Sequence, residues 1–406
     1  MNTLRVFFFQ AAVAGLVAFV LAGTVFPATA ARAQVGEGLE QQQANRESAK
    51  RESTDGAPGR SVVAGYYAWW MRDAWTEMDL GRYDRILFFT TRVDSSGFIL
   101  TRNGWPEAWE DFRTAAASVG TRLVPTVAMM EPETILPVFS DSVRWQRLVQ
   151  DITHMVAEAE SPGLHLDVEL FEPATDAAIA GFHAFLEALR AALPPGKEIS
   201  AFAPSFDVSL MYELEAIAPH VDVFYVQGYD LHWLTGPTAG PVAPLDGWGG
   251  RSWKDIVARY RAAGISDDRI VMTVPYYGYE WPVAHTGYGA PTTGEGRILT
   301  WARVDSLRLP DLRLSVEARL DELAVLRDTV SGSPFYTRAD SAGVYQGWFE
   351  DRESLSRKLE FIARERLGGV AVFLMGYDNG QFSPLLDAFR RMWAPGGHRD
   401  RENRTP

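Results

Sequence analysis

The stretch Gly163-Leu164-His165-Leu166-Asp167-Val168-Glu169 sets an ionisable side chain at every second position, with apolar residues between. In an extended strand, His165, Asp167 and Glu169 share one face and Leu164, Leu166 and Val168 the other. Ionisable groups turned inward are costly unless paired or put to use. The stretch is therefore a structural ion-pair network, a water-facing edge strand or a catalytic centre. Alpha carbons two apart on a strand are about 6.6 Å apart, with parallel side chains. Two carboxyls so placed can hardly flank a sugar from opposite faces, as the common two-carboxylate glycosidase requires. They can serve one face together, Glu169 protonating a leaving oxygen and Asp167 stabilising a charged neighbour. The nucleophile then comes from elsewhere, the substrate included.

Such a strand needs a frame. Apolar runs recur at Val62–Trp69, Arg85–Thr91, Arg122–Met129, Leu164–Glu169, Ile199–Ala203, Val221–Tyr229, Arg269–Tyr276 and Gly369–Met375. Helical patterns separate or follow them at Glu107–Ser118, Ser142–Glu160, Ala177–Leu193, Trp253–Ala263, Arg352–Arg366 and Ser383–Trp393. Eight strands alternating with helices predict an α/β fold, a closed (β/α)8 TIM barrel. The spacing breaks between the seventh and eighth runs. Ala284–Tyr345, with its own short helix at Val316–Thr329, reads as a small α+β insertion at the end of the barrel that carries chemistry.

The acidic strand resembles the signature of glycoside hydrolase family 18, Asp-Gly-x-Asp-x-Asp-x-Glu, of chitinases and related enzymes. Against that pattern the chain reads Pro162-Gly163-Leu164-His165-Leu166-Asp167-Val168-Glu169: the two inner acids match, and Pro162 and His165 replace the outer aspartates. Val63-Ala64-Gly65-Tyr66-Tyr67 resembles the family's first strand, and Tyr229-Asp230-Leu231-His232 its motif ending strand six, with Gln227 in place of methionine. Val274–Trp281 is similar to strand seven, and Trp348–Asp351 with Gly368-Gly369-Val370 to the approach to strand eight. The resemblance covers residues 61–395.

It implies substrate-assisted, retaining hydrolysis of β-1,4 bonds in N-acetylglucosamine-containing glycans: chitin-type oligomers, peptidoglycan or N-glycan cores. Glu169 would be the general acid and base. Asp167 would orient the 2-acetamido group and stabilise the oxazolinium ion, Tyr229 would hydrogen-bond that group, and Asp230 would help hold the sugar. Phe373 stands where the family has a tryptophan as the floor of the catalytic subsite. His165 would hydrogen-bond Asp167 and, when protonated, lower its pKa. Tyr67, Trp70, Trp233, Tyr277 and Trp281 lie at or beyond expected strand ends, as sugar platforms or as core. Neither cofactor nor metal is implied. Two other classes stay open: a glycan-binding protein that does not cleave, and a metal-dependent hydrolase with His165, Asp167 and Glu169 as ligands. Against the latter, the seven histidines are scattered, with no His-x-x-x-His.

Composition sets outer limits. With 52 acids, 39 bases and a net charge of −13 over 406 residues, the chain lacks the basic face that nucleic acids demand. The absence of cysteine excludes disulfides, thiol nucleophiles and cysteine-held metals. Residues 1–33, a cationic start, an apolar run and small residues at Ala28-Thr29-Ala30 and Ala31-Arg32-Ala33, read as a secretory signal, or else as an uncleaved anchor. Residues 34–60 are polar and read as a disordered tether. The expected product is a secreted or periplasmic bacterial monomer, its barrel spanning 61–400, with no membrane domain once the signal is cleaved.

Overall fold

The computed structural model describes residues 61–302 and 313–393. The signal and tether expected at residues 1–60, and the end of the expected barrel range, lie outside the described residues.

Eight parallel strands form the inner wall: β1 (Val62–Ala68), β2 (Arg85–Val93), β3 (Arg122–Met129), β4 (Gly163–Val168), β5 (Glu198–Ala203), β6 (Val223–Gln227), β7 (Ile270–Pro275) and β8 (Gly369–Phe373). Each pairs in parallel with the next, and β8 returns to β1 through Val62–Gly369 to Gly65–Val372, closing the barrel. The chain is a (β/α)8 TIM barrel, with strand ends within two residues of the expected runs. β-branched and aromatic residues dominate the strands, and nearly all their side chains are buried, because helices cover the outside while side chains fill the lumen.

Helices lie at Glu110–Ser118, Pro132–Ser140, Ser142–Glu158, Asp176–Ala192, Trp253–Ala262, Arg352–Glu365 and Ser383–Met392. Asp141, Thr175, Ser252 and Asp351 cap four of them by accepting backbone N–H bonds, which fixes where those helices begin. Between β1 and β2 there are three short 3-10 turns and no α-helix. Among the described residues, no helix is long and apolar enough to cross a membrane.

The insertion is wider than expected and mostly β. Strands at Tyr277–Pro282, Arg297–Thr300, Arg313–Ser315, Leu326–Arg327, Pro334–Asp340 and Gly343–Trp348 make a second, six-stranded sheet. The boundaries of 284–345 are thereby corrected to about 277–348: the chain leaves the barrel at Tyr276 and immediately starts the new sheet. The expected helix at Val316–Thr329 is only Val316–Leu320, since the chain turns into the short strand Leu326–Arg327. The sheet has two unlike faces. On Tyr277–Pro282, Tyr277, Tyr279 and Trp281 point one way; Glu280 points the other, where it accepts a bond from the Tyr336 hydroxyl at 2.6 Å and pairs with Arg319 and Arg338. Leu299, Val316, Tyr336 and Phe349 form a small apolar core on the insertion.

Candidate active site

β4 ends at Val168, and Glu169 is held just beyond it by its N–H bonding the Met129 carbonyl at 2.9 Å. Asp167 is 3% exposed, whereas Glu169 keeps part of its surface open. The two carboxyls hydrogen-bond each other. Burial pushes Asp167 up, opposed by the bond from Glu169; Glu169 is pushed up further, by burial first and then by the charges of Asp167 and Asp230. Like charges this close in a low-dielectric pocket cannot both ionise, so one proton stays between them.

β6 supplies the facing group. Asp230 has a left-handed backbone (φ 55°), which turns the chain out of the barrel wall. Its Oδ1 accepts both the Tyr277 and the Tyr279 hydroxyl, each at 2.8 Å. Burial raises its pKa to about 6 against those two bonds, which lower it. Tyr229 stacks on Phe373 (5.7 Å between centroids, 24° between planes), edge-on to Tyr277 at 6.0 Å. Its phenol lies close enough to Glu169, Asp167 and Asp230 to feel all three charges. Gln227 is buried, its Oε1 accepting from the Ser205 N–H and hydroxyl at 3.4 Å.

Phe373 is the hub of an aromatic floor. The rings of Tyr66, Phe89, Tyr229 and Tyr277 surround it at 5.4, 5.7, 5.7 and 6.3 Å. Trp70 borders that group, its ring edge-on to Phe89 at 6.0 Å and its indole N–H without a protein partner.

Several expectations are corrected. Tyr67 is fully buried among Trp109 and Phe112 on the outside of the barrel, and its hydroxyl donates to the Arg72 carbonyl and accepts from the Trp75 N–H. It cannot meet a sugar; strand alternation sends Tyr66 into the lumen instead. Trp281 is likewise fully buried, its N–H shared by the carbonyls of Trp233 and Leu234, so it fastens the insertion to the loop after β6. Trp233 is half-buried in that loop, and none of the ring contacts within the aromatic floor involves it.

His165 does not turn a nitrogen to Asp167. The Tyr66 hydroxyl takes Nε2 at 2.9 Å and Ser200 Oγ takes Nδ1 at 3.1 Å. Either neutral tautomer satisfies both contacts, since each hydroxyl can donate to or accept from the ring nitrogen it faces. Burial drives the imidazole down to about 3, keeping it neutral. With both nitrogens committed, His165 is no metal ligand, and among the described residues no group of three or more His, Asp or Glu could hold a metal. Sequence reasoning missed Tyr66, Tyr279, Ser200 and also Tyr212, which bonds the Val168 carbonyl at 2.8 Å and lies beside both acids. Alternation from Asp230's partner Tyr277 could have found Tyr279; Tyr212 comes from a loop that no periodicity marks.

A family model, Glycosyl hydrolases family 18, matches residues 63–378. The cortical fragment-lytic enzymes of Bacillus subtilis (strain 168) and Bacillus anthracis are 23% and 21% identical, over 74% and 55% of this chain and 70% and 49% of theirs. The chain also spans 53% of the Bacillus subtilis protein YdhD, so it covers about half the length of two of these three relatives. Among solved structures, a Cycas revoluta family 18 chitinase in complex with (GlcNAc)3 superposes with a TM-score of 0.67 at 16% identity, over 81% of this chain and 99% of that one. The fold is thus shared well below the identity at which function transfers. The family model, however, runs from the first barrel strand past the last, through every element that shapes the acidic pair. The chain belongs to the glycosyl hydrolases family 18.

Proposed function

We propose that this chain is a retaining glycosidase acting on β-1,4 bonds of N-acetylglucosamine-containing glycans, with the substrate's own acetamide as nucleophile. The hydrogen-bonded Asp167–Glu169 pair, holding one proton on one face of β4, carries the reading. Glu169 gives its proton to the glycosidic oxygen as that bond breaks, while the acetamide oxygen attacks the anomeric carbon from the opposite side. Asp167, anionic as its neighbour's proton departs, accepts the acetamide N–H and offsets the oxazolinium charge. Tyr229 hydrogen-bonds the acetamide, and Asp230 offers Oδ2, since both tyrosines hold Oδ1. Phe373 and Trp70 supply apolar ring faces for the sugar. Glu169 then takes a proton from water, which adds at the anomeric carbon and frees the acetamide. The apolar start of the chain supports export, so that the polymer is met outside the cytoplasm.

The test is proton NMR of the first product formed from N-acetylglucosamine oligomers and from peptidoglycan fragments. The β-anomer is expected, with kcat lowered about 10²- to 10⁴-fold in Glu169→Gln. An α-anomer as first product overturns the mechanism. A wild type as inert as Glu169→Gln, both still holding chitin, identifies a glycan-binding protein instead.

A further inference from the structure

A second aromatic surface lies away from the acids. On the insertion sheet Tyr279 pairs with Trp348, and Trp348 with Phe335, so the three share the face that carries Tyr277. Two strand spacings, roughly 10 Å, separate Phe335 from Tyr279. Phe335 stacks on Trp348 at 4.3 Å and 13°. On this base stand Trp248, from the loop after β6, and Tyr288, from the insertion, with their rings 4.8 Å apart. Tyr288 is 55% exposed and Trp248 half-buried, and Val330, 58% exposed, lies beside Gly247.

The surface is built rather than incidental. Gly247, Trp248, Gly249 and Gly250 all have positive φ, and a tryptophan keeps that strained backbone only where its surroundings hold it there. Here they do. The indole N–H donates to Asp328 Oδ2 at 2.9 Å, and the His232 ring lies edge-on at 4.6 Å. The Tyr288 phenol lies beside the same carboxylate, which also accepts the Val330 and Ser331 N–H groups. No added Cβ on Gly249 or Gly250 would meet anything within 4 Å, so the loop that follows Trp248 is open to solvent.

Charge at the edge is one-sided. Asp328 is saturated by these donors, and Lys254 is paired with Asp246. Arg251 is exposed, and no hydrogen bond or ion pair occupies it among the described residues. It lies near enough to His232 to add, after burial, to the loss of that ring's protonation. A free cation beside fixed aromatic rings, on a chain of net charge −13, selects a ligand with an apolar sugar face and a carboxylate.

We propose that Trp248, Tyr288 and Arg251 form an outer binding site for a carboxylate-bearing N-acetylated glycan strand of the peptidoglycan type, the rings stacking on a sugar and Arg251 pairing with a carboxylate. This deepens the glycosidase reading, on which it rests for its ligand class, and makes the natural polymer an anionic strand rather than chitin.

The test measures binding of the full chain, as Glu169→Gln to stop turnover, to insoluble peptidoglycan sacculi and to chitin, with excess (GlcNAc)3 occupying the cleft. Sacculus binding is expected to persist under that competitor and to fall about tenfold or more in Trp248→Ala/Tyr288→Ala. Arg251→Ala is expected to weaken sacculus binding several-fold and flatten its salt dependence, leaving chitin binding unchanged. Tyr288→Ser alone, at an exposed ring, keeps the test valid if the double variant misfolds. Sacculus binding abolished by (GlcNAc)3, or unaffected by both ring variants, overturns the site. Equal loss on chitin and sacculi in Arg251→Ala overturns the anionic ligand. Wild-type turnover is read separately, so an inactive enzyme that still binds through Trp248 counts against the glycosidase reading alone.

Discussion

Asp230 shows what the acidic site costs the fold. Its carboxyl titrates at about 6 in the folded chain against an ordinary 3.8, chiefly through burial, so the folded state binds its proton more tightly than the unfolded one. The associated stability is complete below about pH 4 and is lost as pH rises through 6, to about 3 kcal/mol. Asp230→Asn keeps an oxygen for Tyr277 and Tyr279 without the charge. It is expected to raise the melting temperature at pH 8 and leave it nearly unchanged at pH 4, while slowing turnover; equal shifts at both values would contradict this. The acids were legible in the sequence because alternation within one strand is local. Tyr66 and Tyr67 were confused because both faces of a barrel strand are apolar, so hydropathy does not tell lumen from outside. Of the partners of His165, Ser200 stands opposite it on the neighbouring strand β5, but Tyr66 comes from β1, and only closure of the barrel brings that hydroxyl to the ring.

At the scale of elements, the helices Pro132–Ser140 and Asp176–Ala192 meet at Gly181, where an added Cβ would lie 1.7 Å from the Phe139 carbonyl oxygen. Alanine favours a helix interior over glycine by about 1 kcal/mol. Clash with a backbone atom outweighs that gain, because one of the helices must move. Gly181→Ala is therefore expected to destabilise by about 1–3 kcal/mol in urea unfolding, with kcat kept at low temperature; a stabilised variant would mean that the helices separate freely. The helix at Pro132 escaped the sequence reading because Pro137 lies in its interior, where proline normally ends a helix. The strand Tyr277–Pro282 escaped as a separate element for a different reason: its apolar alternation runs on from β7 with only Tyr276 between them.

For the molecule as a whole, the return from the insertion to the barrel is fixed by a buried ion pair. Lys358, on the helix Arg352–Glu365, meets both oxygens of Glu350 at 2.9 and 2.8 Å, and neither side chain is more than 3% exposed. Ser354 donates to the same carboxylate at 2.7 Å. Lys358→Met leaves Glu350 buried and unpaired, and a loss of about 3–5 kcal/mol is expected in denaturant unfolding, largely recovered in Lys358→Met/Glu350→Gln. If the double variant is no better than the single, packing of the lysine stem matters more than its charge. The strand Tyr277–Pro282 has a further consequence for how this protein can be re-engineered. One face of that ribbon, through Tyr277 and Tyr279, grips Asp230, while its reverse face, through Glu280, anchors the insertion's own interior. The insertion is thus not a cassette. A minimal barrel made by splicing out 277–348 would lose the two phenols that orient the Asp230 carboxylate, and a graft onto another barrel would need an acidic acceptor at the end of its sixth strand.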